Sequence, residues 1–372
     1  MKLKIALLPG DGIGPEVIAQ AVSCLQAVEE TFGHEFIFAS APVGAVAIAE
    51  SGDPLPEDTL ALCKRSDAVL FGAIGDPKFD NNPDSKVRPE QGLLKLRKEL
   101  GLFSNIRPVK VFPTLIGNSP LRQEIIEHTD FVIYRELTGG IYFGEKTLSP
   151  DGTSASDLCL YTEEEISRIA HLAFKAAKNR RKKLTLVDKA NVLESSRLWR
   201  RVVTKIAESY PEVELNTLFV DNAAMQLILN PGQFDVILTE NMFGDILSDE
   251  GSVIGGSIGL LPSASVGERY SMFEPIHGSY PQATGKNIAN PLASILSAAM
   301  LLEHFGLREE AHAVSQAVDR SLREGVVTPD LDPNSKYGTD DVGHFVATHI
   351  ADGDEYRGLN KENIGLGKST II

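Results

Sequence analysis

Short apolar runs alternate along this chain with segments of helical period, and that alternation folds most readily into a parallel sheet covered by helices. Lys4 to Leu8 reads as a strand and Pro9-Gly10-Asp11-Gly12-Ile13-Gly14 as a turn. Pro15 follows in the first turn of a helix, where proline is accepted. Val17, Ile18, Ala21, Val22, Leu25 and Val28 then recur at helical spacing. Asp67 to Gly72, Leu184 to Val187, Leu215 to Val220 and Asp235 to Thr239 read as further strands, the last three each followed by a helix-like segment. Tyr134 to Thr162 breaks the alternation with glycines and Pro150 among aromatic and β-branched residues, which predicts a hairpin or arm. Gly255 to Gly267, rich in Gly, Ser and Pro, reads as a hinge, and the last twenty residues hold little core material.

A chain of 372 residues is long enough for two or three domains or one large α/β unit. Its 36 Lys+Arg against 51 Asp+Glu leave a formal charge of −15, which disfavours nucleic acid and anionic lipid as partners. No apolar run approaches a membrane span of about 18 residues, and no signal-peptide segment is evident. Cys24, Cys63 and Cys159 have no paired spacing. A soluble cytoplasmic protein is expected. The run Gly10 to Gly14 invites a dinucleotide-binding reading, but Pro15 stands where the Rossmann fingerprint needs glycine. The basic run Lys178 to Lys183 closes a helix pattern and reads as a solvated face.

Several segments carry chemistry. Glu90, Leu93 and Arg97 share one face of a helix that starts at Pro89; alone, this would be a core leucine beside a surface arginine. Arg107 and Arg135 stand beside chain-reversal signals, and three arginine forks could hold a small dicarboxylic acid. Asp245 and Asp249, at i,i+4, repel each other unless something positive lies between them, and a divalent cation would serve. Asp221 ends a strand, where open α/β sheets place ligands. Lys189 ends another, and a lysine beside a metal could act as a base. Glu274 to Pro291, rich in small residues, suits close approach of backbone to a nucleotide, or is simply a structural loop.

Seven stretches occur in the same order as in the β-decarboxylating dehydrogenases. They are LLPGDGIGPEV from Leu7, GLLKLRKELGLFSNIRP from Gly92, RELTGGIYFGE from Arg135, VDKANVLESS from Val187, the Asp221 strand end, FGDILSDEGSVIGGSIGLLPSAS from Phe243 and FEPIHGSYPQATGKNIANP from Phe273. The chain therefore resembles the isocitrate/isopropylmalate dehydrogenase family. The resemblance implies a two-domain α/β fold with a mainly parallel sheet, not a standard Rossmann fold. Residues 1–102 plus 257–372 would bind the cofactor. Residues 103–256 would form an inserted dimerisation and metal/substrate domain, with an arm near 136–162. Arg97, Arg107 and Arg135 would grip the substrate, Tyr142 would protonate the enol, and Lys189 would take the hydroxyl proton. Asp221, Asp245 and Asp249 would hold Mg²⁺ or Mn²⁺, with Asp221 also touching substrate. Lys189 and Asp221 would reach the site from the partner subunit of a homodimer. Ile13, Glu274, His277, Gly278, Ser279, Gln282 and Asn290 would contact NAD, Ile13 at the adenine.

Leu93 implies the substrate. Isocitrate-specific relatives offer serine and asparagine to a third carboxylate where this chain has Gln91 and Leu93. Burying a carboxylate against leucine is costly, whereas an isopropyl group gains contact. The expected reaction is NAD-dependent oxidative decarboxylation of (2R,3S)-3-isopropylmalate, a step of leucine synthesis. Another 2-hydroxy diacid is the alternative within the class, and a silent metabolite-binding protein the alternative outside it. Gln282 departs from the aspartate usual in NAD-using members, and the Lys-Tyr pair of NADP-using isocitrate enzymes is replaced by Gln282-Ala283.

Overall fold

The computed structural model describes residues 1–80 and 87–351. The polar C-terminal stretch of the sequence lies outside them. The chain divides into two compact units, one built from Met1–Leu102 and the segment from Ser257 onward, the other from Phe103–Gly256. Among the described residues no helix is long and apolar enough to cross a membrane.

The first unit holds β1 (Lys2–Gly10), β2 (Glu35–Ser40) and β3 (Ala68–Ala73), joined from the C-terminal segment by β11 (Pro262–Val266) and β12 (Ser271–Pro275). Their order is β2-β1-β3-β12-β11, parallel except for the β11–β12 pair. Every residue of β3 is buried, as expected of a central strand covered on both faces. The helices of this unit are α1 (Gly14–Phe32), α2 (Ala45–Ser51), α3 (Glu57–Lys64), α4 (Pro77–Asp80), α5 (Pro89–Glu99), α11 (Leu292–His304), α12 (Arg308–Glu324) and α13 (Thr339–Ala351). Pro15 opens α1 and Gly33 closes it in the left-handed conformation. Val17, Ile18, Ala21, Leu25 and Val28 form its buried stripe, while Val22 lies at the stripe's edge.

The second unit holds β4 (Ser104–Lys110), β5 (Asp130–Glu136), β8 (Lys183–Asp188), β9 (Glu214–Phe219) and β10 (Val236–Thr239), in the order β4-β5-β10-β8-β9. Only β4 and β5 run antiparallel. Its helices are α6 (Gln123–Ile126), α7 (Glu163–Asn179), α8 (Glu194–Ala207), α9 (Val220–Leu229) and α10 (Asn241–Ile254). Between β5 and α7, β6 (Lys146–Leu148) and β7 (Ala155–Asp157) pair as an exposed hairpin.

Three expectations from sequence are corrected. Asp221 is not on a strand end but in the first turn of α9, because β9 stops at Phe219. The predicted hinge is half strand: Pro262–Val266 is fully buried as β11, its alternating small residues fitting a covered sheet. The basic run is a solvated face only in part: Lys178, Arg181 and Lys182 are exposed, but Arg180 is buried against Asp235, itself 1% exposed, with Arg180 Nε 2.9 Å from the carboxylate.

Candidate active site

The register of the second unit brings its polar residues to one edge. Thr239 of β10 lies level with Arg135 of β5 and with Val187 of β8, while Asp188 lies level with Phe219 of β9. The carboxyl ends of four parallel strands thus deliver Arg135-Glu136, Glu240-Asn241, Asp188-Lys189 and Asp221 side by side. That edge is where open α/β sheets bind ligands.

Two strand arginines there meet the carboxylates of α10. Asn105 pairs with Arg135 across β4 and β5, so Arg107, two residues on, projects from the same face as Asn105. Arg107 donates to Ser248 Oγ at 2.5 Å, to Asp249 at 3.2 Å and to Asn105 at 2.7 Å. Arg135 pairs with Asp245 and sends Nε and Nη2 to Asn241 Oδ1 at 3.1 and 2.8 Å. The positive charge that an i,i+4 aspartate pair requires is therefore supplied in part by these guanidinium groups. Tyr142, on the short turn Gly140–Tyr142, donates to the other oxygen of Asp245 at 3.0 Å. Burial, reinforced by the Asp245 charge, pushes the Tyr142 phenol above its usual range, so it stays protonated at neutral pH.

Asn241 was not legible as a site residue in the sequence, yet it ties the cluster together. Its Nδ2 donates to the Gly139 carbonyl at 3.2 Å, and its backbone N–H donates to Tyr161 Oη at 3.0 Å. Glu136 fixes the same turn by accepting the N–H groups of Thr138 and Gly139 at 2.9 and 2.7 Å. The one available signal was position: an asparagine opening the helix that follows a strand end. Ser248, between the two aspartates on one helical turn, was missed as well.

Behind this row lies Glu240, 3% exposed, with Oε2 buried and without a hydrogen-bond partner. Burial, with the Glu136 and Asp188 charges adding to it, pushes its carboxyl up to about 7 from an ordinary 4.5. The folded chain keeps this proton over a range in which the unfolded chain has released it. Stability should therefore fall as pH rises from 4.5 to about 7. Glu240→Gln cannot ionise and is expected to be more stable than wild type at about pH 8 but not near pH 4.5. Urea midpoints at both pH values check this, and an equal difference at the two would contradict it.

Lys189 follows β8, its backbone N–H held by Ser196 Oγ at 3.1 Å. Its Nζ lies 2.5 Å from Asp221 Oδ1, and that hydrogen bond holds the Asp221 carboxyl below the usual range. The neighbouring Asp188 is buried and takes two 2.8 Å hydrogen bonds from Arg200. Among the described residues no three His, Cys, Asp or Glu side chains are grouped to hold a metal ion. Asp221 therefore does not join Asp245 and Asp249 within one chain; it lies on α9, beyond the edge strand β9, paired with Lys189.

In the first unit, Arg97 of α5 donates to Glu274 of β12 at 2.9 Å, both side chains largely buried, and Arg97 Nε is buried without a partner. Leu93, half-buried, packs on the core beneath β1 and β3, while Leu94 is exposed. The Gly10–Gly14 turn is a structural junction. Asp11 accepts the N–H groups of Ala45, Val46 and Gly75 at 3.0, 3.1 and 2.9 Å. Gly12, at φ 58°, lies so close to the Ser279 carbonyl that a Cβ would fall 2.0 Å from its oxygen. Ile13 donates its N–H to that same carbonyl at 2.8 Å, and its side chain, 4% exposed, is buried with Val17, Ala283 and Ala289. It forms the floor of the 277–290 loop, not an open surface. Asn290 is also committed internally, to Asp330 at 3.0 Å and to the Leu292 N–H at 3.0 Å. Gly278 and Gln282 are exposed, and Ser279 is buried. Burial holds His277 below the usual histidine range, hence neutral, and its Nε2 has no partner.

The family described as isocitrate/isopropylmalate dehydrogenase matches residues 4–346. A 3-isopropylmalate dehydrogenase of Bacteroides fragilis is 57% identical over 352 residues, covering 94% of this chain and 99% of its own. One of Heyndrickxia coagulans is 57% identical over 335 residues, covering 89% and 91%. Among solved structures, the isocitrate dehydrogenase from Methylococcus capsulatus matches with a TM-score of 0.85 at 33% identity, covering 94% of this chain and 99% of that one. One fold thus serves enzymes named for two substrates, and the choice between them rests on side chains.

Proposed function

The chain belongs to the isocitrate/isopropylmalate dehydrogenase family, and from that premise we propose that it oxidatively decarboxylates (2R,3S)-3-isopropylmalate to 4-methyl-2-oxopentanoate and CO₂ with NAD, in leucine synthesis. The observation that carries this reading is Leu93, apolar where a third carboxylate would need a polar partner, in a chain whose near relatives are named for isopropylmalate. An isopropyl group against Leu93 gains about 1–3 kcal/mol that isocitrate cannot. Leu93→Ser is expected to raise KM for isopropylmalate about tenfold or more with a smaller change in kcat. Initial-rate kinetics check it, and an unchanged KM would remove Leu93 from the pocket.

The residues fit the groups this chemistry needs. Asp245 and Asp249 present carboxylate oxygens one helical turn apart, with the Asp249 side chain 69% exposed, a hard donor set suited to Mg²⁺ or Mn²⁺. Asp221 would complete that set from the partner subunit. On the cofactor side, the unpartnered His277 Nε2 and the open space at Gly278 suit a nucleotide at the 277–290 loop. Glu274, Ser279, Gln282 and Asn290 would shape or touch it, with Ile13 supporting from beneath. When bound, the metal supplies charge that polarises the C2 oxygen, and NAD⁺ supplies the hydride acceptor.

The chain's own residues would do the rest. Arg97, Arg107 and Arg135 would bind the substrate carboxylates and orient C2. Lys189 would accept the C2 hydroxyl proton, with ionised Asp221 beside it. Tyr142, held protonated by burial and by Asp245, would deliver its proton to the carbon that CO₂ leaves. Gln282 does not repel a 2′-phosphate as aspartate does, so the preference for NAD rests on the missing Lys-Tyr pair.

A homodimer is supported by apolar surface on the second unit. Met225 and Leu229 of α9 are 56% and 64% exposed, as are Ile246 and Val253 of α10 at 58% and 52%, and the two helices pack together. Leu148 on the exposed hairpin is 70% exposed. Exposed apolar side chains on two helices that pack together suit a partner surface. The thiols of Cys24, Cys63 and Cys159 are free, which suits the cytoplasm.

A further inference from the structure

The loop at 277–290 carries a strained aromatic residue. Tyr280 adopts φ 39° and ψ 63°, the left-handed region. Among the described residues only Lys182, Tyr280 and Asn287 share a positive φ without being glycine, and two of the three lie in this loop. Asparagine tolerates that region, but a bulky aromatic there is an outlier. Pro281 follows, and a residue before proline is steered toward extended backbone. Tyr280 is therefore in a conformation that its own side chain and its neighbour both disfavour.

The surroundings hold it there. The Ser279 carbonyl accepts the Ile13 N–H at 2.8 Å, and the Tyr280 carbonyl accepts the Ala283 N–H at 3.0 Å. Ala283 is fully buried with Ile13, Val17 and Ala289, and Gly285 donates its N–H to Glu16. Beyond them, Asn287 takes the N–H groups of Thr339 and Asp340 at 3.1 and 2.9 Å. The fold thus fixes the backbone on both sides of Tyr280 and yet leaves its side chain 55% exposed. More than half of the residue's surface stays in solvent, so burial offsets little of the strain. Such outliers cluster where a ligand is clamped.

We propose that Tyr280 is the platform on which the purine of the dinucleotide stacks, beside Gln282 at the adenosine ribose. The proposal rests on the dehydrogenase reading, which puts a dinucleotide at this loop. One residue, Pro281, separates Tyr280 from Gln282, both are exposed, and the short turn Pro281–Ala283 holds them in one fixed spacing. A flat apolar ring held rigidly by its backbone gives stacking area with little ordering left to do on binding. In this arrangement an aromatic contact carries part of the grip that a ribose-binding aspartate gives in other members.

The test is calorimetric titration of the full chain with ADP-ribose, which carries the purine and lacks nicotinamide, and with NAD, alongside thermal melts. Tyr280→Gly adopts the left-handed conformation freely, so its Tm should equal or exceed that of wild type while its Kd for ADP-ribose weakens about tenfold or more. Tyr280→Phe should bind as wild type. A Tyr280→Gly variant that binds ADP-ribose as tightly as wild type would overturn the proposal. So would one whose Tm falls together with its affinity, because the ring would then be part of the fold. If wild type binds neither NAD nor ADP-ribose, the dehydrogenase reading itself fails and the proposal with it.

Discussion

Lys189→Met is expected to lower isopropylmalate turnover by about 10²–10⁴-fold while leaving substrate affinity nearly unchanged. Methionine keeps the apolar stem and removes the only atom that would accept the hydroxyl proton. The backbone at this position is held by Ser196, and the neighbouring Asp188 is held by Arg200, so the loss should be chemical and not structural. The same variant tests where the lysine acts. If Lys189 serves the partner's site, mixing Lys189→Met with Tyr142→Phe subunits leaves one intact site in each hybrid dimer. Random reassortment of equal amounts then restores about a quarter of wild-type turnover. No recovery in confirmed hybrids would place Lys189 and Tyr142 in one subunit's site, and turnover of Lys189→Met alone near the wild-type level would remove the lysine from the chemistry.

Asp235→Ala is expected to cost about 3–5 kcal/mol of stability. The carboxylate is 1% exposed, accepts Arg180 Nε and the Arg181 N–H at 2.9 Å each, and lies 3.3 Å from the Lys183 N. Removing it leaves the buried Arg180 charge with Asp130 alone, at 2.6 Å, and deprives two backbone donors of their acceptor. Asp235→Asn keeps an acceptor and should lose less. Urea unfolding followed by circular dichroism reads both, and an Asp235→Ala midpoint indistinguishable from wild type would contradict the network.

That network marks where sequence reasoning stops. Lys178 to Lys183 reads as a solvated run because charge patterning is local information, whereas Asp235 is more than fifty residues away and arrives through strand pairing. Strands, helix starts at Pro15 and Pro89, and the aspartates of α10 were legible because period, proline and spacing are written locally. The role of Asn241 was not, since its partners Arg135, Gly139 and Tyr161 come from other elements. Asp245 and Asp249 meet positive charge from guanidinium groups of β4 and β5, which the local i,i+4 spacing cannot name. Asp221 moved from strand to helix because an edge strand ends where pairing ends, and no residue type announces that point.

The most direct test of the central claim is NADH or NADPH appearance with purified protein, crossing isopropylmalate and isocitrate against NAD and NADP, with Mn²⁺ or with chelator. Turnover should require the metal, isopropylmalate and NAD together. Comparable turnover of isocitrate would contradict the apolar pocket at Leu93, and undiminished turnover in chelator would contradict the carboxylate site on α10.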